Sequence, residues 1–308
     1  MSSIISRADW PQLELSDWID TRDAIHLWLQ IAGKVRLRLA PLVNHYWHST
    51  FYLTARGVTT SPIPYQGRSF TIDFDFVDHR LVIARADGST GGFPLRAQSV
   101  AEFYDRFMSE LGRLGIVIRI YARPNELPVA VPFPHDDTPR PYDADAVHRF
   151  WLVLSQTDRV LKQFRTQFIG KCSPIHLFWG GMDLAVTRFS GRTAPPHPGG
   201  IPNLPDYVTR ESYSHEVSSC GFWSGTAPID YPAFYAYAYP QPSGFAEARV
   251  RPDGAFYNTD FGDYNAVTIV PEVIVPVCRF FEFKVAGVLG LTEDGEQYGG
   301  VFEGVFRF

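Results

Sequence analysis

The residues best suited to chemistry fall into two groups. The first comprises Lys34, Arg36, Asn44, His45, His48 and Arg56, and the second Lys171, His176, Asp183, Arg188, His215 and Glu216. Each mixes cations with imidazoles. Arginine can grip a carboxylate or phosphate through two parallel hydrogen bonds, so the chemistry suggested is capture of a small anion. His176, His215 and Glu216 are the candidate catalytic groups, since an imidazole beside a carboxylate can serve as a general base near neutral pH. Neighbouring residues of a strand face opposite ways, however, so His215 and Glu216 do not both reach one substrate. The same rule separates His45 from His48, three apart, and no metal site is assigned. An ion pair between Asp183 and Arg188 is the plainer account of those two.

Other patterns have ordinary explanations. Asp73 and Asp75 share one strand face opposite Phe74 and Phe76, as on the wet side of an antiparallel sheet. Tyr235, Tyr237 and Tyr239 form a row that could stack on a ligand or rim an amphipathic interface. Cys172 follows a helix C-terminus, whose negative dipole end disfavours a thiolate. Phosphate loops, GxGxxG, HExxH, GxSxG and CxxC patterns are all missing, so no cofactor is named.

The elements that position these groups are legible. Ile25, Trp28, Ala32, Val35 and Leu39 recur at spacings of three and four, predicting a helix from about Thr21, capped by Asp20 or Thr21, to Ala40. His26, Gln30 and Lys34 form a second row on that helix and project together. The run from Trp47 to Leu95 alternates as β structure about a turn at Asp78-His79. Ser99 and Glu102 form a capping box for a helix ending at Gly115, and IVIRIY (116–121) reads as a strand. Six prolines between Arg123 and Pro141 mark a linker or crossover. Asp143 caps a further long helix that stops near Gly170, and strands are expected at IHLFW, DLAVTRF, YSHEV and AFYAYAY.

The layout predicted is α+β: two helix-plus-antiparallel-sheet units, 1–122 and 143–260, joined by 123–142, with an undecided tail at 261–308. His45-Tyr46-Trp47 followed by Thr54 rhymes with His176 to Trp179 followed by Thr187, which raises an internal duplication. A hydrophobic fraction of 45% rules against disorder. The net charge of −5, with Lys and Arg scattered, argues against a nucleic-acid partner. The start carries no long apolar segment, and no stretch is apolar enough for a membrane span. Three widely spaced cysteines suit a reducing compartment, so the cytosol is expected. Oligomeric state is not encoded in these features.

The stretches HLWLQIAGKVRL, PLVNHYWH, TARGVTTSPIPY, FDFVDHRL, FIGKCSPIHLFWG, DLAVTRFSGR, YSHEV and YPAFYAYA closely resemble a bacterial family known as domain of unknown function 5996, over about Trp10 to Tyr257. The resemblance implies no activity, cofactor or catalytic residue. It implies an amphipathic C-terminal helix, whereas the tail from Gly262 here reads as β-rich or irregular. The leading expectation is a binding or enzymatic protein for a small anionic metabolite, held between the two units by Lys34, Arg36, His45, His48, Arg56, Lys171, His176 and Arg188. The alternatives are a non-catalytic interaction protein with an aromatic surface and a metal-dependent hydrolase.

Overall fold

The computed structural model describes residues 10–166, 168–226, 231–248, 255–259 and 262–267. The rest of the tail, Cys278 included, lies outside the described residues. Helix α1 spans Leu15–Leu39 and starts earlier than its apolar periodicity suggested, with Glu14 at the N-cap. Leu15 and Trp18 are buried and carry the apolar stripe toward the N-terminus, leaving Asp20 and Thr21 inside the helix rather than capping it. Burial surrounds α1 on most sides, and its second row is buried too. A helix enclosed this way must find partners for every polar side chain it carries.

The first sheet is antiparallel: β1 (Tyr52–Thr54), β2 (Gly57–Thr59), β3 (Ile63–Tyr65), β4 (Arg68–Asp75), β5 (Arg80–Arg85) and β6 (Thr90–Pro94). Its order is β1-β2-β4-β5-β6, with β3 branching onto β4. Phe70, Ile72 and Phe74 of β4 face inward, while Asp73 and Asp75 share the wetter face. Helix α2 (Val100–Arg113) opens with the capping box: Ser99 Oγ accepts from Glu102 N at 3.1 Å, and Glu102 Oε2 accepts from Ser99 N at 2.9 Å. Gly115, at φ +73, terminates it in the left-handed region.

Residues 116–121 form no strand. Ile116 is buried and Ile118 and Ile120 pack on the core while Val117 and Tyr121 point outward. The alternation is real, but no described strand edge pairs with it. Helix α3 (Ala144–Arg165) is capped by Asp143, whose Oδ1 accepts from Ala146 N at 2.9 Å. Thr21 ties α1 to this start: its hydroxyl accepts from Asp143 N at 3.1 Å.

The second sheet contains β7 (His176–Phe178), β8 (Asp183–Thr193), β9 (His215–Trp223), β10 (Ala233–Tyr239), β11 (Ala255–Asn258) and β12 (Asp263–Val267). Its order is β7-β8-β9-β10-β12-β11, all antiparallel. Short helix α4 (Asp206–Ser212) lies between β8 and β9. The fold is therefore α+β. Phe51 and Leu177 exchange two backbone hydrogen bonds of 2.8 Å, stitching the chain before β1 to β7. One buried cluster runs from α1 through both sheets. The rhyming texts take different shapes: His45 to Trp47 lie in a 3₁₀ turn, Asn44–Ser49, and His176 to Phe178 in β7.

Candidate functional site

The second row of α1 builds the site. His26 Nε2 lies 2.7 Å from the Gly180 carbonyl. A carbonyl only accepts, so Nε2 carries the proton and the ring is neutral. Burial, with nearby Arg22, pushes the His26 imidazole down to about 3. Gln30 grips both backbone groups of Asn125, accepting from its N–H at 2.8 Å and donating to its carbonyl at 2.9 Å. Lys34 donates to the Asn125 side-chain oxygen and lies 5.1 Å from the Trp179 ring centroid. Burial lowers the Lys34 ammonium to about 8, with Glu126 pulling the other way. Trp179 comes this close because α1 has Gly33 there: an added Cβ would sit 2.3 Å from the ring.

The proline-rich segment is thus no spacer. Gln30 and Lys34 hold Asn125, Glu126 N donates to Pro202 O at 2.9 Å, and Asn203 Nδ2 donates to Leu127 O at 2.6 Å. Glu126 is held at φ 61, a left-handed conformation that costs a non-glycine residue about 1–3 kcal/mol and persists only where its surroundings dictate it.

Glu126 meets Asp183, the first residue of β8. A Cβ on Gly180 would lie 1.8 Å from Glu126 Oε1, so the carboxylate rests on that glycine. The Cβ position of Gly181 is 3.1 Å from Asp183 Oδ1 and 3.8 Å from Glu126 Oε2, so the two acids converge there. Tyr235 of β10 donates its hydroxyl to Asp183 across the intervening β9. Gly221 of β9 permits this, since its added Cβ would stand 2.5 Å from the Tyr235 oxygen. Burial raises Glu126 to about 7, and the Asp183 charge adds to the effect. Burial also raises Asp183, to about 6, opposed by the Tyr235 hydrogen bond.

Glu126 borders both lobes of a cavity, and Asp183 the inner one. The outer lobe, about 750 Å³, is walled by Lys34, Asn125, Glu126, Phe178 and Trp179, with Tyr121 and Tyr207 at its edge, 69% and 67% exposed. The inner lobe, about 180 Å³, lies over β8, β9 and β10 and is lined by Glu126, Asp183, Tyr235, Tyr237 and His45. Hydroxyl pairs line it as well: Tyr213 to Tyr237 at 3.0 Å and Thr187 to Ser219 at 2.9 Å. Among the described residues eight non-glycine positions have positive φ, and four of them, His45, Tyr46, Glu126 and Asn203, line these lobes. Backbone strain gathers where the cavity is.

Of the residues singled out in the sequence, Lys34 lines the outer lobe and His45 the inner one. Lys171 Nζ is 2.7 Å from His45 Nε2, so that nitrogen accepts and Nδ1–H donates to Ser212 O at 3.1 Å. His215 lies 5.6 Å from His45, ring to ring. The others lie elsewhere. Arg36 stacks on Tyr52 at 5.1 Å and, with His176, contacts the Thr50 hydroxyl in the interior. Burial holds His176 down to about 3. His48 folds back on Val43. Arg56 is a surface residue paired with Asp75 at 2.6 Å and Asp78 at 2.7 Å. Arg188 is buried 3.6 Å from the Phe164 ring centroid. Glu216 is paired with Arg192 at 2.6 Å. Asp183 does line the inner lobe, bonded to Tyr235 and not to Arg188.

Sequence reasoning passed over Glu126 and Asn125, which sit in the proline-rich segment, and read Asp183 as half of an ion pair. The available signals were the Gly180-Gly181 pair after Trp179 and the unpaired row on α1. Among the described residues, no group of three or more His, Cys, Asp or Glu is arranged to hold a metal ion, and no helix is long and apolar enough to cross a membrane.

Fold and site together define an α+β protein with a two-lobed, aromatic-walled cavity built around a lysine and two converging acids. Residues 10–280 match a family described as a family of unknown function (DUF5996), and the chain belongs to it. No curated protein and no solved structure matches the chain.

Proposed function

We propose that the protein binds a small metabolite bearing an anionic group, with the cavity lying between units 1–122 and 143–260 and the chain residing in the cytosol. The observation that carries this reading is Lys34. Its ammonium is drawn from the C-terminal third of α1 into an aromatic-walled lobe of about 750 Å³, a volume suited to a metabolite-sized guest. Asn125 and Asn203 supply polar groups for orientation, and Lys171 beside His45 offers a second cation at the inner lobe.

The test is a thermal-shift screen of carboxylate- and phosphate-bearing metabolites beside their neutral amides and esters. A ligand present at a hundred times its Kd stabilises by about 2.7 kcal/mol, raising the melting temperature by several degrees. That stabilisation should vanish in Lys34→Met and survive in Arg56→Ala. Stabilisation untouched by Lys34→Met, or equally strong with neutral analogues, overturns the anionic reading. A second reading, attachment to a partner through an aromatic surface, draws on the exposure of Tyr121 and Tyr207. It requires that Tyr121→Ser with Tyr207→Ser abolish self-association or partner capture.

A further inference from the structure

Resting on the cavity as an anion site, we infer that its ligand is a zwitterion, with a primary ammonium held by Glu126 and Asp183 and a carboxylate or phosphate held by Lys34. The inner lobe carries this because it is short of hydrogen-bond donors. Both carboxyls line it and approach one point, within 4 Å of the Gly181 Cβ position. Asp183 accepts from the Tyr235 hydroxyl and from its own backbone N–H. The Glu126 carboxylate accepts no hydrogen bond among the described residues, and Lys34 donates to Asn125 instead. Other polar groups of the lobe are matched with each other, Tyr213 with Tyr237 and Thr187 with Ser219. A carboxylate left without a donor in a cavity wall is completed by a guest that brings one.

An ammonium brings three N–H donors and a full charge on a single nitrogen, so converging acids suit it without further space between them. A metal ion is served less well, because no third His, Cys, Asp or Glu joins the pair among the described residues. The two lobes share Glu126, Phe178, Leu204 and Ser212, so one guest spans both. The inner lobe, about 180 Å³, takes the amine end. The outer lobe, about 750 Å³, takes the body among Trp179, Tyr121 and Tyr207, with Lys34 for the acid. A guest carrying an acid alone would bring a second negative charge toward Glu126, and its ammonium turns that repulsion into attraction. Burial raises both carboxyls, and a bound cation lowers them again.

The experiment is isothermal titration calorimetry on the full chain. The probes are the proteinogenic amino acids, ω-amino acids and aminoalkyl phosphates, each beside the same molecule without its amine and the amide or ester of its acid. The tightest zwitterion should bind about 10–100-fold more tightly than its amine-free analogue, the worth of charge-assisted hydrogen bonds. Glu126→Gln and Asp183→Asn should each shrink that preference while leaving the amine-free analogue's affinity in place. Lys34→Met should instead remove the preference for free acid over amide or ester. The groups facing Glu126 are Lys34 of α1, Asp183 of β8 and Tyr213 after α4, with Tyr235 of β10 beside Asp183. His45, across the lobe, is held neutral between Lys171 and Ser212. Binding at pH 6 should therefore release about one proton, drawn from the acids, and the amine-free analogue should release none. Amine-free analogues that bind as tightly as the zwitterions overturn the inference and leave the anion site standing. A preference for the amine that survives in both acid variants overturns it as well. Amides and esters that bind as tightly as free acids, or no binding by any probe, remove the anion site itself.

Discussion

Replacing Glu126 by glutamine should make the protein more stable, by a margin that grows as pH rises from about 4.5 to about 7. Burial and Asp183 lift this carboxyl from 4.5 to about 7. A carboxyl whose folded value is raised binds its proton more tightly in the native state. Its contribution is favourable while protonated and is lost as pH climbs from the unfolded value through the folded one. Each tenfold gain in proton affinity corresponds to about 1.4 kcal/mol, which sets a ceiling of about 3 kcal/mol for the penalty at pH 8. Lys34 and solvent in the open outer lobe screen part of it, so a gain of about 1–3 kcal/mol is expected for Glu126→Gln. Gln preserves the volume resting on Gly180 and the left-handed backbone, so the charge is the main change. Urea unfolding at pH 5 and pH 8 measures the difference. The variant should exceed wild type by less than about 1 kcal/mol at pH 5, where the native carboxyl is neutral and the unfolded one has begun to ionise, and by the full margin at pH 8. Parallel curves for the two proteins from pH 5 to 8 would refute the claim that burial destabilises the Glu126 charge.

Further outcomes follow from other parts of the fold. His26 and His176, both held down to about 3, are stabilising while neutral; that stability is present above about pH 6.5 and lost as pH falls toward 3, so the urea midpoint should drop between pH 7 and 4, with a shallower slope in His176→Gln. Gly221→Ala crowds both the Tyr235 hydroxyl at 2.5 Å and the Leu184 carbonyl at 2.7 Å, costing about 1–3 kcal/mol in chemical denaturation, and it displaces the Asp183 hydrogen bond. Ser99→Ala removes half of the α2 capping box and should cost about 1 kcal/mol while leaving ligand stabilisation unchanged. Trp28→Ala deletes a fully buried indole stacked on Phe103 at 4.8 Å, and should cost about 3–5 kcal/mol by urea denaturation.

What could be read in the sequence follows the range of the physics involved. The capping box at Ser99, the Asp143 cap, the alternation of β4 and the tyrosine row of β10 are local signals, and each corresponds to the element found. The alternation of 116–121 was equally clear but misleading, because periodicity reports which side chains face inward and not whether a strand edge is free to pair. The start of α1 was missed because Leu15 and Trp18 are separated from the main stripe by polar residues. The site was the least legible. His26, Gln30 and Lys34 could be seen to project together, yet their partners lie 154, 95 and 91 residues away. Glu126 was hidden in a stretch whose prolines suggested a spacer. Its conformation is imposed by Gln30 and Pro202, which no local pattern reveals.

The buried polar row of α1 has a consequence for how the chain folds. An apolar stripe can be sheltered by whatever greasy surface arrives first, but His26, Gln30 and Lys34 accept only the backbone of Gly180 and the amide groups of Asn125. Those partners are synthesised long after the helix. The early half of the chain can therefore make α1 but cannot finish enclosing it without stranding polar groups, and loops of this length close slowly. The last step of folding is then the one that assembles the cavity. A ribosome-bound intermediate ending before Asn125 should display α1 with its polar row still wet, which makes an intact cavity a reporter of a completed fold.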